Sequence, residues 1–424
     1  MNKTTAIALL ISASAFAAVP VIDADSVSVK QDGSRTVVIS YKLEPASAGD
    51  TEPAIITADI LTNGVSVGGG NLWTLSGDVN RIVSQGNRKI LWQPNEEKMP
   101  EFSLPAAQVT AKITAWSTNS PPNYWVIDLS TSASMKDRLA DRYYPNAEQI
   151  PLTVTNNIYK TERLVFRRIP AKGVTWRQGD TDDPTKRSLY RYVTFSYDYW
   201  IGVYEFTVGQ FNRLRPSTWD SVTDESEAFP RRNTFGNWRG DPNGSSEYNW
   251  PSNGHDKVAG IIGNGIRPKL GGVMVDIATA AEWEYACRAG SSTKYCNGDT
   301  KADLDKVAWY AENSGGVYHD VGTKLPNAWG VYDMHGNCWE WTLDKSSKRT
   351  SEPVWDPTGP MQDEADTGNS GNYKNKCMGA FGGRAWGDKH DRAYNASDCT
   401  SASSVGLLTG EGSTCTIRLV IPLQ

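Results

Sequence analysis

The chain has 424 residues, a net charge of −5, 39% hydrophobic and 21% charged residues, the balance of an ordinary globular protein able to bury more than one core. An acidic balance without a polybasic stripe excludes the electrostatic footprint of a nucleic-acid binder and of a protein held on an anionic membrane surface. Sixteen tryptophans, 18 tyrosines and 38 glycines suit irregular backbone packed around large flat side chains.

Residues 1–18 combine Lys3, an apolar run from Ala6 to Leu10 and the small-x-small group Ala15-Phe16-Ala17, the form of a secretory signal with its cleavage site. No other run approaches the roughly 20 apolar residues of a membrane span. The expectation is an exported chain, periplasmic, cell-surface or secreted.

From residue 19 to 118 the pattern has period two. Alternating runs at Ser26–Lys30, Thr36–Tyr41, Ile55–Ile60, Arg88–Trp92 and Gln108–Trp116 are separated by Asp32-Gly33, Asn63-Gly64, Gly68-Gly69-Gly70 and Pro94-Asn95. Short alternating strands with turn signals between them predict an antiparallel, immunoglobulin-like or fibronectin-like sandwich. It contains no cysteine, so packing alone must hold it. Residues 119–162 open on Pro121-Pro122, contain an expected strand at Tyr124–Leu129, and are read as a linker packed on its neighbours.

The second domain is expected over 163–424. Thr207 and Gln210 stand at capping-box spacing and predict a helix from Val208 to about Leu214, stopped by Pro216. Thr279 and Glu282 repeat the device, with Gly290 as the expected stop. Few short helices among strands and glycine-rich loops make an α+β domain.

All six cysteines, Cys287, Cys296, Cys338, Cys377, Cys399 and Cys415, lie in the last third. An even number in an exported chain points to disulfides, with the pairing left open. No Gly-x-Ser-x-Gly elbow or phosphate loop is present. His390 between Asp388 and Asp391 is either a solvated loop or a hard-metal site.

A series of landmarks then appears in order: Ile169-Pro170-Ala171 to Gly179, Ile201–Thr207, Asp276–Ala286, Ala308–Ser314, Pro326–Gly330, Asp333-Met334-His335-Gly336-Asn337-Cys338-Trp339-Glu340-Trp341, Gly382-Gly383 and Ile417-Arg418-Leu419. The series resembles the formylglycine-generating (sulfatase-modifying-factor) family over about 260 residues, 163 to 423. The resemblance implies a C-type-lectin-like fold with little regular secondary structure. It also implies, in catalytic members, a copper-dependent oxidase that converts a cysteine of a client sulfatase. Catalytic members carry two cysteines five residues apart shortly after a Gly-Gly-Ser. Here the stretch reads Gly382-Gly383-Arg384-Ala385-Trp386-Gly387-Asp388-Lys389-His390-Asp391-Arg392-Ala393, with no cysteine between Cys377 and Cys399. Thiolates are the soft ligands that select Cu(I), so copper is not expected.

The resemblance further implies structural calcium. Side-chain oxygens would come from the positions of Asp333 and Glu340, carbonyls from Gly336 and Cys338, and a second site would start at Asn313 and Ser314. Capping and ion pairing in a tight turn are the competing use of the two acids. Trp238, Tyr248, Trp250, Trp386, His390 and Tyr394 are candidates for a surface that takes a peptide or glycan. The reading is a recognition scaffold without oxidase chemistry. The alternative is an oxidase with rearranged cysteines such as Cys377 or Cys399, or another metal-dependent oxidoreductase at the same cleft.

Overall fold

The computed structural model describes residues 19–31, 35–67, 75–94, 109–130, 142–179, 190–215, 221–232, 262, 266–270, 273, 275–342, 351–357, 380–381, 404–405 and 415–423. They fall into two compact units divided between Pro121 and Pro122. The fold is mostly β with few, short helices.

The first unit holds β1 (Val21–Gln31), β2 (Val37–Glu44), β3 (Ala54–Thr62), β4 (Val65–Ser66), β5 (Ser76–Gly77), β6 (Arg81–Val83), β7 (Gly86–Trp92) and β8 (Val109–Ser117). They form two antiparallel sheets, β1-β2-β7-β5 and β4-β3-β6 with β8 also paired to β3. Strand β2 shows why: Val37, Ile39, Tyr41 and Leu43 are buried while the residues between them are half-exposed, the signature of a sheet with one dry face. These side chains share one core with Ala54, Ile56, Ile60, Ile90 and Trp92 from both sheets. Each fully buried aliphatic side chain contributes about 1.5–3 kcal/mol. The Tyr41 hydroxyl donates to Asp78 O at 2.7 Å and the Trp116 indole N–H to Thr57 Oγ1 at 2.8 Å, so the polar tips at the core margin are satisfied.

The second unit is built on six antiparallel strands in the order β10-β9-β11-β14-β23-β15. These are β9 (Tyr124–Asp128), β10 (Arg142–Tyr144), β11 (Arg163–Ile169), β14 (Asp198–Gly202), β15 (Asp276–Ile277) and β23 (Leu419–Leu423). Between them in sequence come β12 (Thr175–Gln178), β13 (Arg191–Thr194), β16 (Ala308–Trp309), β17 (His335–Gly336), β18 (Trp339–Trp341), β19 (Val354–Trp355), β20 (Ala380–Phe381), β21 (Ser404–Val405) and β22 (Cys415–Ile417). The stretch read as a linker is corrected here. Both β9 and β10 belong to the central sheet, and β9 is buried along its whole length. Its aromatics are the reason: Trp125 packs on Tyr143, Phe166 and Trp200 at centroid distances of 5.8–5.9 Å.

Among the described residues the unit has five short α-helices: α1 (Ile158–Thr161), α2 (Val208–Leu214), α3 (Arg267–Lys269), α4 (Ala280–Arg288) and α5 (Lys301–Val307). The capping boxes at Thr207 and Thr279 form as the spacing predicts, and a third stands at Thr300. The left-handed turn that ends α4 begins one residue before the expected glycine, with Ala289 at φ 47° and Gly290 at φ 87°. Helix α4 lays Ala281, Trp283, Ala286 and Cys287 on Tyr199, Ile201 and Val420 of the central sheet.

Candidate functional site

The signature 333–341 lies at the centre of the second unit. Strand β17 runs parallel to β16, and β18 lies between β20 and the parallel β22. Three residues of its turn, Asp333, Gly336 and Asn337, have φ of 55°, 77° and 54°. Gly336 is obligatory on two counts, because φ is positive and because a Cβ there would collide with the carbonyl of Trp309.

This tight turn aims its polar side chains inward. Glu340 and Arg418 are both fully buried and paired. Arg418 Nη2 donates to Glu340 Oε1 at 2.6 Å and its Nε to Oε2 at 2.9 Å. The same Oε2 accepts the Trp283 indole N–H at 2.7 Å. The guanidinium also donates to Gly202 O and Tyr332 O, each at 3.0 Å. From its place between β22 and β23, one arginine thus ties together β14, β18 and the 332–333 turn. Beside it Glu205 accepts Asn337 Nδ2 at 2.7 Å and the Cys338 N–H at 3.0 Å. Asp333 Oδ2 accepts the Gly322 N–H at 2.6 Å.

Three buried carboxyls therefore surround a single guanidinium. Burial, reinforced by the charges of Asp333 and Glu340, raises the Glu205 carboxyl well above its ordinary range. Burial pushes Asp333 up to about 6, against the Gly322 N–H and Arg418, which favour its charged form. The guanidinium resists the same burial because Glu340, Glu205 and Asp333 hold its proton on.

This arrangement does not fit the calcium cage that the resemblance implies at Asp333, Gly336, Cys338 and Glu340. Both Glu340 oxygens are claimed by Arg418 and Trp283, so an arginine stands where a cation was expected. Asn313 and Ser314 build a separate turn. Asn313 Oδ1 accepts the Tyr310 N–H at 2.9 Å and its Nδ2 donates to Ala308 O at 3.0 Å. Ser314 Oγ accepts the Gly316 N–H at 3.2 Å, and Ser314 O faces His319 Nε2 at 3.0 Å. Among the described residues no group of three or more His, Cys, Asp or Glu side chains is arranged to hold a metal.

Among the described residues Cys287, Cys296 and Cys338 are buried and form no disulfide with one another. Cys287 Sγ lies 3.6 Å from His335 Nε2, which accepts the Cys296 N–H at 3.0 Å. Burial pushes the Cys296 thiol up to about 12. Cys377 and Cys399 lie outside the described residues, as do Trp238, Tyr248, Trp250, Trp386, His390, Tyr394 and the stretch from Gly382 to Ala393; Cys415 is placed only as the start of β22.

In the sequence Glu205, Trp283 and Arg418 stand only as parts of landmark stretches, with no role given to any of them. A signal existed for the arginine: a lone cation inside Ile417-Arg418-Leu419-Val420-Ile421 is almost never buried without a partner.

Comparison with known proteins gives a model match to the sulfatase-modifying factor enzyme 1-like domain over residues 175–404. The formylglycine-generating enzyme of Mycobacterium tuberculosis is 38% identical over 16% of this chain and 26% of that protein. The formylglycine-generating enzyme of Mus musculus is 29% identical over 23% of this chain and 30% of that protein. The chaperone protein LppX of Paenibacillus barcinonensis is 32% identical over 19% of this chain and 35% of that protein. The matches thus span about a third or less of these relatives. Among solved structures, Treponema denticola variable protein 1 aligns at a TM-score of 0.44 with 22% identity, over 61% of this chain and 95% of that one. PvdO from Pseudomonas aeruginosa aligns at 0.42 with 18% identity, over 61% and 94%. No helix among the described residues is long and apolar enough to cross a membrane.

Proposed function

From the premise that the chain belongs to the sulfatase-modifying factor enzyme 1-like family, we propose that it is an exported recognition scaffold of that family that has lost the copper-oxidase chemistry. The single observation that carries this reading is in the sequence. Where catalytic relatives place two cysteines after Gly-Gly-Ser, this chain runs from Gly382 to Ala393 without one. Copper chemistry needs thiolates. Two further observations support the reading. Cys287, Cys296 and Cys338 are buried, and Cys296, with its proton held up to about 12, offers no thiolate at neutral pH.

On this reading the second unit has the family's C-type-lectin-like fold, the first is an immunoglobulin-like module, and the ligand is a peptide or a glycan. The signature acts as an internal tie: Glu340 and Arg418 fix its turn, and this tie needs no copper chemistry. The test is oxygen uptake and aldehyde formation on a sulfatase-derived cysteine peptide with Cu(I) supplied. No turnover and no stoichiometric copper binding are expected. Conversion of the peptide thiol to an aldehyde would overturn the proposal and favour an oxidase built on Cys377 or Cys399.

A further inference from the structure

The three-stranded sheet β12-β13-β19 turns one face to solvent. Its register sets Arg177 opposite Tyr192, and pairs Trp355 with Thr194 two residues along β13. Residues two apart share a face, so Arg177, Tyr192 and Trp355 stand on one side as cross-strand neighbours. Trp355 is 70% exposed and Tyr192 55%. The backbone next to Trp355 is held through Asp356: its N–H donates to Thr194 O at 2.9 Å, and its Oδ1 accepts the Ser196 N–H at 2.6 Å. Large rings held in water on ordered backbone lose hydrophobic free energy that only a partner restores.

The same face runs into a cavity of about 520 Å³ at the outer edge of β12, where Trp176, Tyr285 and the 290–294 turn form its walls. Arg177 and Tyr190 belong to both, the guanidinium lying 3.9 Å above the Tyr190 ring. Trp176 packs on Tyr285 at 5.1 Å. Arg288 is already held by Glu284 at 2.8 Å. Among the described residues Arg177 and Lys294 form no ion pair, and no Asp or Glu lines the cavity. Among the described residues Arg177 and Lys294 thus give the cavity two cationic side chains beside its aromatic walls.

We propose that this face and cavity bind an acidic saccharide. A sugar ring offers a face of C–H groups that stacks on a flat exposed aromatic, as Trp355 and Tyr192 present, and hydroxyls that pair with Ser291, Ser292 and Thr293. A carboxylate or sulfate on the sugar meets Arg177 and Lys294 in charge-assisted hydrogen bonds. An acidic peptide suits the surface less, since the rings stand on the sheet face, away from the strand edge where a peptide adds by main-chain pairing. The inference gives the scaffold reading a ligand class and a place, and it stands whether or not the oxidase chemistry is lost.

The test is calorimetric titration of the full chain with polygalacturonate, dextran sulfate, neutral dextran and poly-glutamate. Binding is expected to one or both acidic polysaccharides, which separates carboxylate from sulfate recognition, and not to dextran. Trp355→Ala should weaken it about tenfold, the order of one aromatic contact. Arg177→Gln combined with Lys294→Gln should abolish it. All three side chains are exposed, and an unchanged melting temperature verifies that the variants fold. The proposal is overturned by failure to bind either acidic polysaccharide, by equal binding of poly-glutamate, or by variants that bind like the parent. The oxygen-uptake assay reports separately on the loss of oxidase chemistry, so the two failures are distinguishable.

Discussion

The two units solve the burial problem in opposite ways. In the first, Thr57 is the buried polar side chain among the described residues, and the core is Val, Ile, Leu, Ala and aromatics. In the second, Glu205, Glu282, Glu284, Asp333, Glu340 and Arg418 are all buried. A sandwich of regular strands satisfies its backbone within its sheets and needs only apolar side chains between them. A domain of short strands and long turns leaves carbonyls and N–H groups that side chains must reach, as Arg418 reaches Gly202 O and Tyr332 O. Buried charge is the consequence of irregular backbone, and it makes the second unit dependent on single residues.

The sharpest way to break the comparison is Arg418→Met. Removing one partner of a buried pair typically costs about 3–5 kcal/mol; here three buried carboxyls lose the guanidinium beside them, so a loss at or above the top of that range is expected. Urea titration should show the second unit unfolding early while the transition of the first is unmoved. Ile39→Ala is the converse change. It leaves a cavity between the two sheets of the first unit, costs about 2–5 kcal/mol, and should lower only that unit's transition. Loss of the α4 cap in Thr279→Ala should cost about 1 kcal/mol, read as a smaller shift in the second transition alone.

Acidity sharpens the contrast further. Asp333 is raised to about 6 in the folded state and Glu205 is raised well above its ordinary value. A carboxyl raised on folding binds its proton more tightly in the native state, so its contribution is complete below its unfolded value. That contribution is lost as pH rises through the folded one. Through Asp333 between about pH 4 and 6, and through Glu205 from about pH 4 upward, the second unit should lose stability as pH rises. The measurement is the second unfolding midpoint against pH, parent minus Glu205→Gln. The variant mimics the protonated acid, so it should gain relative to the parent as pH rises. A difference that stays flat across that range would show that Glu205 is ionised throughout. The first unit, with no buried carboxyl among its described residues, should move little.

Much of the fold was legible in the sequence, for local reasons. The alternation Val37-x-Ile39-x-Tyr41-x-Leu43 specified a one-sided strand, and Thr207 with Gln210 and Thr279 with Glu282 specified helix starts, since a capping box closes within four residues. The signature announced its family but not its use. Its acids read equally as cation ligands or as ion-pair partners, and the partner that Glu340 takes in the fold, Arg418, lies 78 positions away.

What the sequence by itself determined, then, was strand pattern, helix starts, the family and the absence of a cysteine pair between Cys377 and Cys399. Only the tertiary structure decided that β9 and β10 are part of the central sheet, that Cys287, Cys296 and Cys338 are buried, and that Glu205, separated by 132 residues from Asn337, meets it at 2.7 Å. The physical reason is range. Propensity, periodicity and capping act over a few residues, whereas the partner of a buried charge is chosen by whichever distant strand folds against it.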